Sequence, residues 1–136
     1  MTKTDYGQFT HEHWQKISPG IALFNQQKYW ECHEVLEDLW KEDTQDNARL
    51  VYWAVIQVAA SLIHYRQDKL IGAAGMIKKA KEKFQKAEKL NVETQILYDK
   101  LSWKKLKDLV FAIPDEPQLS DFKTLFDFRF STGEMK

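Results

Sequence analysis

Cysteine is nearly missing from these 136 residues, glycine and proline are sparse, and neither sign of charge is in excess. The single cysteine, Cys32, rules out an internal disulfide. With five glycines and three prolines there is little to punctuate the chain into short strands. Twenty basic residues balance twenty acidic ones, so no global field exists to gather nucleic acid or an anionic membrane. No apolar run reaches the roughly 18 residues needed to span a bilayer, because Gln57, Ser61 and His64 interrupt the best one. The start, MTKTDYGQFTHEHWQ, lacks the apolar run of a secretion signal. The chain therefore reads as cytoplasmic, with no membrane or nucleic-acid partner and with its oligomeric state open.

What is present is helical period. The expectation is an all-α, single-domain bundle of five or six helices over residues 1–136. Its centre is Leu50 to Arg66, LVYWAVIQVAASLIHYR (the helix about 48–66), whose apolar side chains run almost all the way round. On its helical wheel Gln57, Ser61 and His64 form one polar stripe within an arc of about 60°. A buried polar group left unpaired costs roughly 1–3 kcal/mol, so the stripe calls for a partner elsewhere in the chain.

Upstream, Thr10 is a candidate N-cap for a short helix to Lys16, which Ser18-Pro19-Gly20 should interrupt. Ser18 then caps and Pro19 opens a fresh helix to about Gln27. The short linker Gln26-Gln27-Lys28 predicts an antiparallel hairpin with the next helix, Tyr29 to Lys41. That helix buries Tyr29, Cys32, Val35, Leu36, Leu39 and Trp40, and carries His33 and Glu37 together at one edge. Glu42 to Asn47 reads as a turn with Asp46 as cap. After a turn at Gln67-Asp68-Lys69, a lysine-rich helix runs from Gly72 to about Leu90. Its lysines read either as an anion-binding strip or, interleaved with Glu82 and Glu88, as a solvated face. Thr94 to Ile113 is helical again, with Ser102 marking a candidate break. The arm 119–130 carries four phenylalanines that should pack across the bundle, and the chain should fray from Ser131.

His33-Glu34-Val35-Leu36-Glu37 resembles the zinc motif H-E-x-x-H with glutamate in place of the second histidine. His33 and Glu37 on one helix and His64 on the next would make a three-ligand divalent metal site of unknown identity with an open position. Glu34 would be its general base, and Gln57, Ser61 and Trp40 would contact a small-molecule substrate. The alternative is a hydrogen-bonded network that only sets helix register, in a non-catalytic binding or interaction module. Trp30, Trp40 and Trp53 read as pocket walls or as core. Cys32 reads as a small core residue, and no partner is assigned to His11 or His13.

The runs FNQQKYWECHEVLEDLW (24–40) and IQVAASLIHYRQDKLIGAA (56–74) resemble the bacterial and archaeal domain of unknown function 309 family, over about 21–90. The remainder, 92–130, supplies the C-terminal helices and aromatic arm. The resemblance implies a small all-helical protein of the kind tagged as a predicted metal-dependent hydrolase, and points to His33, Glu34, Glu37, Gln57 and His64. This chain departs from the pattern at Gln27, Ala54, Asp68 and Lys69, where the family commonly shows glycine or a Gly-Asn turn.

Overall fold

The computed structural model describes residues 7–42 and 45–131. Among them the chain is all-helical, in the order α1 (His11–Asn25), α2 (Tyr29–Glu42), α3 (Arg49–Arg66), α4 (Leu70–Lys89), α5 (Gln95–Leu101), α6 (Trp103–Ala112), a 3-10 turn (Leu119–Phe122) and α7 (Lys123–Asp127). Ser131, the expected start of fraying, donates its N–H to Ser102 Oγ at 3.2 Å, and 132–136 lie outside the described residues.

The buried side chains form one continuous cluster around α3. Eleven of the eighteen residues of α3 are buried, because α2 covers one of its sides and α4 another. The arm closes one end of this cluster. Phe24 of α1 meets the rings of Phe128 and Phe130, and Tyr65 of α3 meets Phe122 and Phe126. Asn25 clamps the arm by exchanging two hydrogen bonds with the backbone of Phe130, at 3.0 and 2.8 Å.

The expected break at Ser18-Pro19-Gly20 does not occur, and α1 runs straight through Pro19. Proline leaves the carbonyl of Gln15 without its helical donor, but Gln15 and Pro19 both face solvent, where water serves that oxygen. Ser18 is not a cap either, since its hydroxyl donates to the carbonyl of Trp14 at 2.8 Å. Gly20 has a packing role. A Cβ placed there would lie 2.5 Å from Leu36 Cδ2, so the missing side chain is what lets α2 approach α1 this closely.

The lysine-rich helix starts at Leu70, two residues earlier than expected. The turns from α1 to α2 and from α3 to α4 are sharp. Gln27 and Asp68 adopt φ of 61° and 59°, the left-handed region that favours glycine. At both positions a non-glycine residue carries the conformation glycine would take freely. Ser102, at φ 52°, separates α5 from α6 as expected, though its side chain makes no capping bond. No helix among the described residues is long and apolar enough to cross a membrane.

Candidate functional site

Of the polar stripe of α3, Ser61 finds its partner on α4 rather than α2. Ser61, fully buried, donates its hydroxyl to the carbonyl of Ala73 at 2.9 Å. His64 lies flat against Gly72, where an added Cβ would come within 2.6 Å of its Nδ1. About three turns down α3 from His64, Trp53 receives the ammonium of Lys83 from α4, 4.2 Å from its ring centroid.

The α2 flank joins the same face through Trp40, whose ring packs on Trp53 at 5.0 Å. At the other end of this antiparallel pair, Arg66 lies over the Tyr29 ring and donates to the carbonyl of Gln27 at 2.9 Å. His33 is seven residues from Trp40 and so shares its side of α2. It stacks on Trp30, with ring centroids 5.6 Å apart and planes 5° from parallel. A single face thus presents Trp30, His33, Glu37 and Trp40 from α2, Trp53, Gln57 and His64 from α3, and Gly72 and Lys83 from α4.

Four buried polar atoms on this face have no hydrogen-bond partner among the described residues: His33 Nδ1, Trp40 Nε1, Gln57 Oε1 and His64 Nδ1. Gln57 is only 8% exposed. Each such atom costs stability unless water or a ligand meets it. Beside His64 opens a largely apolar concavity of about 530 Å³ lined by Lys69, Leu70, Ile71 and Gly72. Two large apolar side chains near this end of the face lie open to solvent, Trp30 at 58% and Ile71 at 89%.

With Trp40 level with Trp53, Glu37 falls level with about Ile56, His33 with about Ala60, and His64 a further turn along, so Glu37 and His64 stand roughly 12 Å apart along the α3 axis. Among the described residues no group of three or more His, Cys, Asp or Glu side chains is placed to hold a metal ion. Glu34, the expected general base, is exposed on α2.

Cys32 is fully buried, and burial pushes its thiol up to about 12. It should therefore resist a disulfide reagent at pH 8 in the native protein and react stoichiometrically once unfolded in urea. Rapid labelling of the native protein would contradict this placement.

One cluster escaped the sequence reading. His13, which had no identifiable partner in the sequence, accepts the N–H of Thr10 on Nδ1 at 2.9 Å and donates from Nε2 to Asp46 at 2.7 Å. Asp46 also accepts from the N–H of Ala48 at 3.0 Å, so it caps the turn that leads into α3, close to its expected role. Thr10 and His13 share a capping box at the start of α1, which ties that helix to the entrance of the central one. The capping signal at Thr10 is local, whereas Asp46 lies 33 residues away from His13 and no spacing rule links them.

A family model described as a domain of unknown function (DUF309) matches residues 17–76. The uncharacterized protein YpuF of Bacillus subtilis (strain 168) is 42% identical over 45 residues, which are 33% of this chain and 26% of YpuF. The chain therefore spans about a quarter of that relative's length. No solved structure matches. The matched segment 17–76 runs from the middle of α1 to the first turns of α4, and so contains His33, Trp40, Gln57, His64 and Gly72.

Proposed function

We propose that the protein, whose residues 17–76 match the DUF309 family model, is a helical binding module. The face shared by α2, α3 and α4 takes a small ligand that has both an apolar surface and hydrogen-bonding groups. One observation carries this reading. Four buried polar atoms, on His33, Trp40, Gln57 and His64, lack partners on the same face that opens into an apolar concavity. Polar groups retained only to fix helix register would be satisfied within the protein, as Ser61 is. The ligand's polar atoms meet Gln57 and the imidazoles, while its apolar part lies against Leu70, Ile71 and Trp30. A cytoplasmic setting accompanies this reading, supported by a lone cysteine without an internal partner.

Metal-dependent hydrolysis, which the family resemblance implies, draws less support. Its ligands would be His33, Glu37 and His64 with Glu34 as base, and these side chains do not stand as a preformed three-ligand set. We derive no reaction step from them.

The two readings part on Gln57→Leu. For a ligand site, replacing an orphaned amide by an apolar group of similar size should leave the free protein as stable as before or about 1 kcal/mol more so, while binding is lost. For a structural cluster the same change should lower stability. Thermal unfolding of the free variant decides the sign, and a clear fall in melting temperature would count against the binding module. Titrating chelated protein with zinc, manganese, nickel and iron(II) tests the metal. The expected shift in melting temperature is within about 1 °C, and a stabilisation of several degrees that His33→Ala abolishes would restore the metal site.

A further inference from the structure

The face over α3 is a shallow trough with walls of opposite charge. Arg49, Trp53, Ala60 and His64 share one side of α3 and are only half-buried, so α2 and α4 leave a strip open between them. At one end Arg49, Trp40, Trp53 and Lys83 stack in that order, and at the other His64 lies against Gly72. The α2 wall belongs to a helix with five acidic side chains and one lysine, the α4 wall to a helix with six lysines and two glutamates. Glu37 on the first wall, and Lys79 and Lys83 on the second, are in no ion pair among the described residues. Lys41, the one lysine of α2, has Glu37 a turn behind it and Glu42 beside it.

The walls also match in level. Trp53 meets Lys83 and His64 meets Gly72, so α3 and α4 keep one antiparallel register, and Glu37, level with about Ile56, falls between Lys79 and Lys83. By the same registers Trp30 is level with about Ile63 and Ile71 with about Tyr65, so the two stand nearly opposite each other across α3. Both are open to solvent, one on each wall, and the concavity of about 530 Å³ lies beside Ile71. A two-fold axis parallel to α3 exchanges the walls while keeping each end of the trough with its own kind. It sets Glu37 of one copy against Lys79 and Lys83 of the other, and Trp30 against Ile71 and the concavity, each contact made twice. An axis across the helices would instead set α2 on α2 and α4 on α4, acid on acid and lysine on lysine. From Arg49 to His64 the face is about 22 Å long, and three helices make it about 28 Å wide. That outline, roughly 600 Å² per partner, reaches the lower end of stable interfaces.

We propose that a second copy of the chain docks on this face, forming a two-fold dimer about an axis parallel to α3. Trp30 of each copy enters the concavity beside Ile71 of the other, and Glu37 pairs across the interface with Lys79 and Lys83. This goes beyond the binding-module reading and does not depend on it. It says what covers the face, and a ligand on Gln57 would then lie between the two copies.

Sedimentation velocity of the full chain from about 1 to about 200 μM is the test, with a dissociation constant at or below about 50 μM expected. Ile71→Glu, at a position open to solvent and so harmless to the fold, should weaken the dimer at least about tenfold. Glu37→Lys and Lys79→Glu should each weaken it as well, because each sets like charges against one another at both wall contacts. Mixed in equal amounts, those two variants should dimerise within about threefold of the unaltered chain, since opposite charges then meet at both contacts. A role for Glu37 within its own copy would give no such recovery. A monomer throughout the range would overturn the dimer and leave the binding module standing. A dimer that Ile71→Glu and Glu37→Lys both leave within about twofold is held by another face, and one that mixing fails to restore does not set α2 against α4. Either result equally overturns the proposal.

Discussion

Glu93→Ala should cost the protein about 3–5 kcal/mol, the size of effect seen when one partner of a buried charged network is removed. Glu93 sits in the loop between α4 and α5, and its side chain is only 10% exposed. One carboxylate oxygen accepts the hydroxyl of Tyr98 at 2.7 Å. The other accepts the indole N–H of Trp103 at 2.8 Å and pairs with the ammonium of Lys107 at 2.6 Å. Truncation strands the N–H of Trp103, the largest fully buried side chain among the described residues, and leaves Lys107 with the exposed Glu88 and a long 3.4 Å bond to the Tyr98 hydroxyl. Burial alone would draw the Lys107 pKa down, but hydrogen bonds to Glu93 and Glu88 outweigh it and hold it above the ordinary lysine value. Its contribution is therefore complete below about pH 10, the unfolded lysine pKa, and is lost as pH rises through the folded value. Urea unfolding at pH 7 measures the effect, and a loss under about 1 kcal/mol would show the network to be incidental.

Gly20→Ala has the second largest expected effect, and its sign runs against helix propensity. Alanine is favoured over glycine inside a helix by about 1 kcal/mol, so a site with room would gain stability. Here the new methyl would stand 2.5 Å from Leu36 Cδ2 and 2.8 Å from Cγ, and Leu36 is fully buried with nowhere to retreat. Overpacking of this kind costs typically 1–3 kcal/mol, so the net expectation is destabilisation with α1 and α2 forced apart. Gly75 is the internal control, since a Cβ there meets nothing within 4 Å. Gly75→Ala should therefore raise stability where Gly20→Ala lowers it, and equal gains at both positions would refute the close α1–α2 approach.

Several features follow from residue order alone. A run such as 50–66, apolar on nearly every side, has to be enclosed, and α3 lies at the centre of the buried cluster, ending at Arg66 as its pattern implies. Likewise Ala73, Ile77, Ala80, Phe84 and Ala87, spaced by threes and fours, are the residues α4 buries. These features are local, because the angle of each side chain about its own helix axis depends only on the count of residues.

Tertiary structure decided the rest. His33, Glu37 and His64 look like one ligand set on a helical wheel, but a wheel carries no axial coordinate. The packing of Trp40 on Trp53 sets the level of α2 against α3, and helix rise from that level puts Glu37 and His64 roughly 12 Å apart along the axis. Pro19 reads as a helix start until solvent exposure shows that the carbonyl it orphans has water to bond. Asp46 for His13, Glu93 for Trp103, and the stack from Arg49 to Lys83 each join residues distant in sequence or on different helices. Such pairs are chosen by how helices slide and turn against one another during packing, and the energy of that choice belongs to the assembled core rather than to any one segment.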